Sequence, residues 1–281
     1  MTATTEERPD LDEVEDLGTA IDPEADDPGG TGAWSKIRGA MGGSAGLIIT
    51  PFVIAGVALT LYVLVSGAEK SVAEASALDW SSNLRPQLED HIWLTVVSTI
   101  FVLLIAVPLG VALTRPSMRR FAGPILAFAN TGQAAPAYGL FVLLYAWMST
   151  GFRTSVVALV IYTVLPVLRN TMVGLDQVDR AIIEAGRGMG MTQRQALLKI
   201  EMPLAVPVIL AGVRTALIIN VGMATLAFLI GGGGLGVTIS AGLKLQRDMI
   251  LVTGATMAGI LALTIDWLGA VAERYLKPKG I

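Results

Sequence analysis

The chain has 281 residues, of which 53% are hydrophobic and only 15% are charged. Soluble domains carry about 25% charged residues, so the composition argues against a water-soluble protein. The chain has no cysteine and a single histidine, His91, which excludes disulfides, iron–sulfur clusters and thiolate zinc sites. The net charge of −3 is unevenly spread: residues 1–33 carry 11 acidic residues and 1 basic residue, and the remainder carries +7.

The N-terminal stretch is rich in Asp, Glu, Pro, Gly and Thr and poor in large apolar residues. It cannot bury enough apolar surface to offset the entropy of ordering it, so residues 1–40 are predicted to be a disordered acidic tail. An acidic start is also unlike a secretory signal peptide. The tail is either a docking segment or a solvated spacer, and its composition favours the spacer. Residues 41–281 are predicted to form one membrane domain.

Six apolar runs follow, each long enough for a membrane-spanning helix of about 20 residues. They lie at about Leu47–Ser66, His91–Thr114, Ile125–Met148, Thr154–Gly174, Ala205–Ile230 and Met249–Ala272. Pro166 and Arg169 interrupt the fourth run. Because a helix satisfies its own backbone in lipid, the fold class predicted is an all-α membrane protein with about six transmembrane helices.

The basic residues between these runs indicate the orientation, since cytoplasmic loops are enriched in Lys and Arg. With the N-terminus inside, the cytoplasmic segments hold 13 basic residues and the outer segments hold 5. Both termini are therefore predicted to be cytoplasmic.

Polar and aromatic residues within the third and fourth runs are candidates for the lining of a polar path across the membrane. Asn130, Gln133, Tyr138 and Tyr162 would line it, and the aromatic rings would attract a cation by cation–π interaction. The alternative is hydrogen bonding between helices, and for Tyr145 and Trp147 an aromatic belt at the membrane interface. His91 is predicted to be an interface residue rather than a proton relay.

Residues Asn170–Pro203, between the fourth and fifth runs, form the amphipathic segment. They include a short helical stretch around Ala181–Ala185, three glycines and a second helical stretch, Gln195–Glu201. Pro203 suits the first turn of the helix that follows. The physics leaves two interpretations open: a helix that enters a cleft of a partner, or a helix lying on the membrane surface.

Two charged residues, Arg214 and Asp266, fall inside the fifth and sixth runs, where charge is costly and tends to face the protein interior. Both lie a few turns from the predicted cytoplasmic side, so they are expected to approach one another. The pair would be either a structural ion pair or a gating contact.

A dinucleotide fingerprint, G-x-G-x-x-G, is matched by Gly231, Gly233 and Gly236, but it lacks the strand–turn–helix context that the motif needs. A flexible break with a left-handed cap is the better interpretation. The chain has no G-x-x-x-x-G-K-[ST], so any ATP that drives the protein must bind another polypeptide.

The amphipathic segment resembles a known signature. Glu184-Ala185-Gly186, Gly190, Ile200 and Met202-Pro203 are similar to E-A-A-x-x-x-G-x9-I-x-L-P of ABC importer permeases, with Gly186 and Met202 as departures. The stretches HIWLTVVSTI, VPLGVAL, LPVLRNT, MPLAVPVILAGVRTA and IGGGGLG resemble permeases for glycine betaine, carnitine and choline. The stretch ANTGQAAPAY keeps the family's Asn130, Gln133 and Pro136 but differs between them.

This resemblance implies the type I ABC importer permease fold in a bacterial cytoplasmic membrane, with a coupling helix that docks on an ATPase subunit. The implied coupling residues are Asp179, Glu184, Ala185, Gly186 and Gly190. Glu184 would make polar contacts, Ala185 and Gly186 would permit close approach, and Gly190 would allow the turn after the helix.

The implied partners are ABC ATPase subunits that hold ATP and Mg, a second permease subunit, an extracytoplasmic substrate-binding protein and the lipid bilayer. No nucleic-acid partner, no metal and no cofactor in this chain are expected, and the chain itself would not be an enzyme. The alternatives are an ABC permease for an amino acid or other small solute, and an ion-coupled secondary transporter using Asp266. An intramembrane enzyme lacks support from paired carboxylates or a metal-ligand cluster.

Overall fold

The computed structural model describes residues 44–276. A boundary between two units of the chain falls between Gly46 and Leu47. Apart from Ser44–Gly46, at the start of the first helix, every described residue belongs to the second unit. The predicted acidic tail, residues 1–40, lies outside the described residues.

The described residues form eleven α-helices joined by short turns. In chain order they are α1 Ser44–Gly67, α2 Val72–Ala77, α3 Arg85–Thr114, α4 Ala122–Ala134, α5 Ala137–Met148, α6 Phe152–Asp176, α7 Arg180–Gly188, α8 Gln193–Ala196, α9 Met202–Ala224, α10 Gly236–Leu245 and α11 Asp248–Leu276. Two π-helical turns, Trp80–Leu84 and Leu197–Glu201, run directly into α3 and α9. Two 3₁₀ turns occupy Arg119–Phe121 and Ala227–Ile230.

Five helices among residues 44–276 are long and apolar enough to cross a membrane. They are Gly46–Gly67, Trp80–Thr114, Phe152–Asp176, Gln193–Ala224 and Asp248–Tyr275. They correspond to the first, second, fourth, fifth and sixth predicted runs, so the protein is confirmed as an all-α multi-pass membrane protein.

The third predicted run, Ile125–Met148, is not one helix. It is divided into α4 and α5 at Ala135 and Pro136, and Ala135 is extended, with φ −62° and ψ 142°. Proline has no N–H to continue the helix and disfavours helical geometry in the residue before it. Pro136 was a visible signal for this break, but the predicted run ignored it.

Three other boundaries differ from prediction. The fourth run continues through Pro166 without a break and extends to Asp176, so residues 170–176 of the predicted amphipathic segment belong to this helix. The second half of that segment does not close at Pro203, because Gln193–Ala224 is one continuous helical stretch, with Pro203 in the first turn of α9. The fifth run stops at Ala224 rather than Ile230.

The core lies where α3, α6 and α9 pack against one another. The buried residues of α3 recur every three or four positions and form one stripe along the helix. They are His91, Leu94, Thr95, Ser98, Thr99, Val102, Ala106, Gly110 and Leu113. Many of them are small or carry a hydroxyl, which is typical of helix interfaces in membranes, where close backbone approach replaces the hydrophobic effect.

Gly110 shows how close that approach is. A Cβ atom added there would lie 2.7 Å from both Cβ and Cγ2 of Thr171 on α6. Because Thr171 is itself fully buried, its side chain has no space to move away from an added methyl group. The α3–α6 contact therefore requires glycine at this position.

We expect Gly110→Ala to destabilise the bundle by about 1–3 kcal/mol, the usual cost of overpacking a core. The matched control is Gly123→Ala in α4, because an added Cβ there meets no atom within 4 Å. Thermal unfolding of the purified protein in detergent measures the difference. Equal unfolding temperatures for the two variants would contradict the packing described for α3 and α6.

Candidate functional site

The amphipathic segment contains a nine-residue helix, α7. Asp179 caps it, with Oδ1 accepting a hydrogen bond from the Ala181 N–H at 2.9 Å. After α7 the chain turns through Gly190, whose φ of +90° is in the left-handed region that favours glycine. Thr192 and Gln195 then form a reciprocal capping box that starts α8. Asp179 and Gly190 thus set the two ends of the helix.

The two faces of α7 have different environments. Glu184 and Ala185 are exposed, and Glu184 borders a hollow of about 480 Å³ that is also lined by Arg187 and Met191. Gly186 is buried, and a Cβ added to it would come within van der Waals overlap of Ile200 Cδ1. The small size of Gly186 lets α7 pack on its own chain, and its role in the approach of a partner stays a prediction.

Two ion pairs join the ends of the amphipathic segment to the turn after α3. The Arg115 guanidinium donates two hydrogen bonds to the Glu201 carboxylate, at 2.6 Å and 3.2 Å. Arg119 lies 3.6 Å from Asp176, and both of those side chains are largely exposed. Sequence reasoning missed both pairs. The signal available was the carboxylate of Glu201 directly before the apolar helix that begins at Met202.

Arg214 on α9 and Asp266 on α11 are brought together as the sequence predicted. Arg214 Nε and Nη2 donate to the two carboxylate oxygens at 2.5 Å and 2.8 Å. Glu273, one heptad after Asp266 on the same helix, lies 3.8 Å from Arg214 Nη1. Glu273 was not predicted, although the seven-residue spacing places it on the face of Asp266.

The structure places the predicted path residues in different environments. The Tyr162 hydroxyl donates to the Ala135 carbonyl at 3.2 Å, so it satisfies a backbone group at the break between α4 and α5. Asn130 and Tyr138 are exposed, and Gln133 is half-buried. Trp147 and Tyr145 are also exposed near the end of α5, as an aromatic belt requires.

His91 is fully buried, so its assignment to the membrane interface was wrong. Its Nδ1 accepts a hydrogen bond from the Leu235 N–H at 3.2 Å, and its Nε2 lies 2.9 Å from the Val221 carbonyl. Since Nδ1 accepts, Nε2 carries the proton and donates, which defines a neutral tautomer. His91 therefore joins α3 to α9 and to the loop after it.

That loop, Gly231–Gly236, is called the glycine loop. Gly231 ends the preceding 3₁₀ turn in the left-handed conformation, as predicted, but the loop is closely packed rather than free. A Cβ on Gly236 would overlap the Thr225 carbonyl, and Gln87 Oε1 accepts hydrogen bonds from both the N–H and the hydroxyl of Thr238. His91 therefore holds the glycine loop to α3, and Gln87 holds the first turn of α10, which follows the loop.

A buried polar contact joins the three core helices. The Asn220 amide of α9 donates to Thr99 of α3 at 2.9 Å, and its oxygen accepts from the Thr163 hydroxyl of α6 at 3.2 Å.

Among residues 44–276, no buried side-chain nitrogen or oxygen lacks a hydrogen-bond partner. In the same residues, no group of three His, Asp or Glu side chains is arranged to hold a metal ion.

Comparison with known proteins gives a consistent result. Residues 106–279 match a family described as binding-protein-dependent transport system inner membrane component. The glycine betaine/carnitine/choline transport system permease protein OpuCB of Bacillus subtilis is 41% identical over 192 residues, or 68% of this chain and 88% of that protein. The choline transport system permease protein OpuBB of the same organism is 43% identical over 192 residues, with the same coverage.

The osmoprotectant import permease protein OsmW of Salmonella typhimurium is 37% identical over 209 residues, or 73% of this chain and 96% of that protein. Among solved structures, inward-facing MetNI methionine ABC transporter in its native crystal form matches with a TM-score of 0.62 and 24% identity, over 69% of this chain and 96% of that chain. That likeness concerns the fold alone, and it confirms the predicted type I ABC importer permease fold.

We expect Asp266→Asn to lower the stability of the bundle by about 1–2 kcal/mol, or about 2–6 °C in unfolding temperature. About a third of each side chain is exposed, so solvent reduces the cost below that of a fully buried pair. Arg85→Gln, which removes an exposed pair with Glu89, is the control and should leave the unfolding temperature unchanged. If both variants have the unfolding temperature of the wild type, the ion pair between Arg214 and Asp266 does not hold α9 to α11.

Proposed function

We propose that this chain, which belongs to the family of binding-protein-dependent transport system inner membrane components, is the permease of an ATP-driven importer for glycine betaine, choline, carnitine or related quaternary amines. The observation that carries the substrate class is the identity of 41% and 43% to permeases named for these substrates, over 68% of the chain. The chain is a transport component, and the bond chemistry belongs to another subunit.

The partner that hydrolyses ATP docks on α7. Glu184 and Ala185 are exposed on this helix, while its opposite face is packed on Ile200 through Gly186. Because one face of α7 is packed on its own chain and the other is exposed, the helix can transmit movement of a docked subunit to the rest of the permease. ATP and Mg bind the ATPase subunit, which supplies the energy by closing and by hydrolysis. Asp179 and Gly190 support docking by defining the ends of the helix.

The transport path lies between this chain and a second permease subunit. The buried polar side chains of the described residues all have partners within the chain, so they offer no free groups for a solute. The exposed Asn130 and Tyr138 and the half-buried Gln133 are available on α4 and α5. Tyr138, 60% exposed, suits contact with a quaternary ammonium through its ring.

The positive charge of the loops supports an orientation with the amphipathic segment and both termini in the cytoplasm. The glycine loop then lies on the outer side, toward the substrate-binding protein. ATPase closure would move α7 and open the path outward, and hydrolysis would return it inward. An ion-coupled transporter using Asp266 is disfavoured, because Arg214 already occupies both oxygens of that carboxylate.

We expect Glu184→Lys to abolish co-purification of the ATPase subunit with the tagged permease, because it reverses the charge at the centre of the exposed α7 face. Glu69→Lys is the matched control: the same charge change at an exposed residue after α1, remote in sequence from the amphipathic segment. If Glu184→Lys retains the ATPase at the level of the control, the assignment of α7 as the docking helix is wrong.

The substrate class has a separate test. The complete complex, with its binding protein, is reconstituted in liposomes and given glycine betaine, choline, carnitine, methionine or histidine. We expect ATP hydrolysis to rise with one or more of the three quaternary amines and to remain at its basal level with the two amino acids. Stimulation by an amino acid alone would contradict the proposed cargo while leaving the ABC permease assignment intact.

A further inference from the structure

The bidentate pair between Arg115 and Glu201 differs from the other ion pairs of the described residues. The Glu201 side chain is only 8% exposed, and the Arg115 side chain is 34% exposed. Both carboxylate oxygens are engaged by the two terminal guanidinium nitrogens. This planar, charge-assisted arrangement fixes orientation as well as distance.

The pair completes a series of contacts that begins at α7. Gly186 of α7 packs on Ile200, and Ile200 is adjacent in sequence to Glu201. Glu201 holds Arg115, the residue that ends α3. These two contacts connect α7 to the end of α3.

The N-terminal end of α3 is also held by side-chain hydrogen bonds. With 30 residues, α3 is about 45 Å long at 1.5 Å per residue. Near its other end, Gln87 and His91 hold the region of the glycine loop. A single helix thus connects the amphipathic segment to the glycine loop on the opposite side of the bundle.

We propose that Arg115 and Glu201 are positioning residues that transmit movement of the ATPase-docking helix to α3, so that ATP hydrolysis and opening of the path remain linked. This proposal rests on the proposed function and names a part of its mechanism. The pair touches neither ATP nor solute. Its loss uncouples the two events without preventing assembly.

The second pair of the same turn provides the matched control. Arg119 and Asp176 carry the same charges and also join the α3–α4 turn to the segment. Their closest atoms are 3.6 Å apart, and their side chains are 59% and 44% exposed. Loose, solvated pairs of this kind contribute little rigidity, so Arg119→Gln should leave coupling unchanged.

The experiment uses the complete transporter in liposomes and measures radiolabelled glycine betaine imported per ATP hydrolysed. Glu201→Gln is the first variant, because the amide is nearly isosteric with the carboxylate, so it keeps the packing and removes only the negative charge that holds Arg115. We expect the ratio to fall at least about fivefold, the lower limit for energetically coupled sites. Co-purification of the ATPase should remain at the level of the wild type, and the unfolding temperature should fall by no more than the about 2–6 °C expected for Asp266→Asn.

A double-mutant cycle then tests whether the two residues act as one link. The single variants Arg115→Gln and Glu201→Gln should each lose coupling, and the double variant should lose no more than either one alone. The proposal is overturned if Glu201→Gln keeps the ratio of Arg119→Gln, or if the losses in the double variant multiply. Failure of the proposed function itself would be visible in the wild type, as absence of ATP-dependent uptake.

Discussion

Lipid offers no hydrogen-bond partners, so a backbone that leaves helical geometry inside a membrane protein must find partners within the chain. Two departures of this kind shape the bundle. At the break between α4 and α5, the Ala135 carbonyl accepts from Tyr162. At the glycine loop, the Leu235 N–H donates to His91. Each irregular segment is therefore tied to a core helix by one side chain, and the helices around it are fixed in consequence.

This constraint changes what polar residues inside the spans signify. Tyr162 and His91 look like candidates for transport or proton transfer, yet their polar atoms are already used by backbone groups. Asn220 is likewise engaged by Thr99 and Thr163. The side chains that remain available, such as Asn130 and Tyr138, lie on the exposed faces of α4 and α5. The distinction between structural and functional polar residues thus follows from which backbone groups need a partner.

Sequence reasoning predicted the features that depend on local pattern. The apolar runs gave the long helices, and the charges within them gave the pairing of Arg214 and Asp266. It missed features set by contacts between distant residues. Nothing near Glu201 in sequence indicates Arg115, which is 86 positions away. The burial of Gly186 was missed for the same reason, because its neighbour Ile200 is brought to it by the fold. The break at Pro136 was locally readable, but the apolar run on both sides concealed it.

The basic residues of the predicted cytoplasmic side divide into two groups once their partners are known. Arg115 and Arg119 are both paired with carboxylates at the ends of the amphipathic segment, and the Arg115 pair, with its buried Glu201 partner, is the one that fixes the fold there. Arg187 and Arg194 are exposed and form no ion pair among the described residues. A count of positive charges treats these residues alike, although only the second group keeps its charge free for the surroundings. The charges that fasten the segment to α3 and those that it presents outward are therefore different residues, and each set can be changed without removing the other.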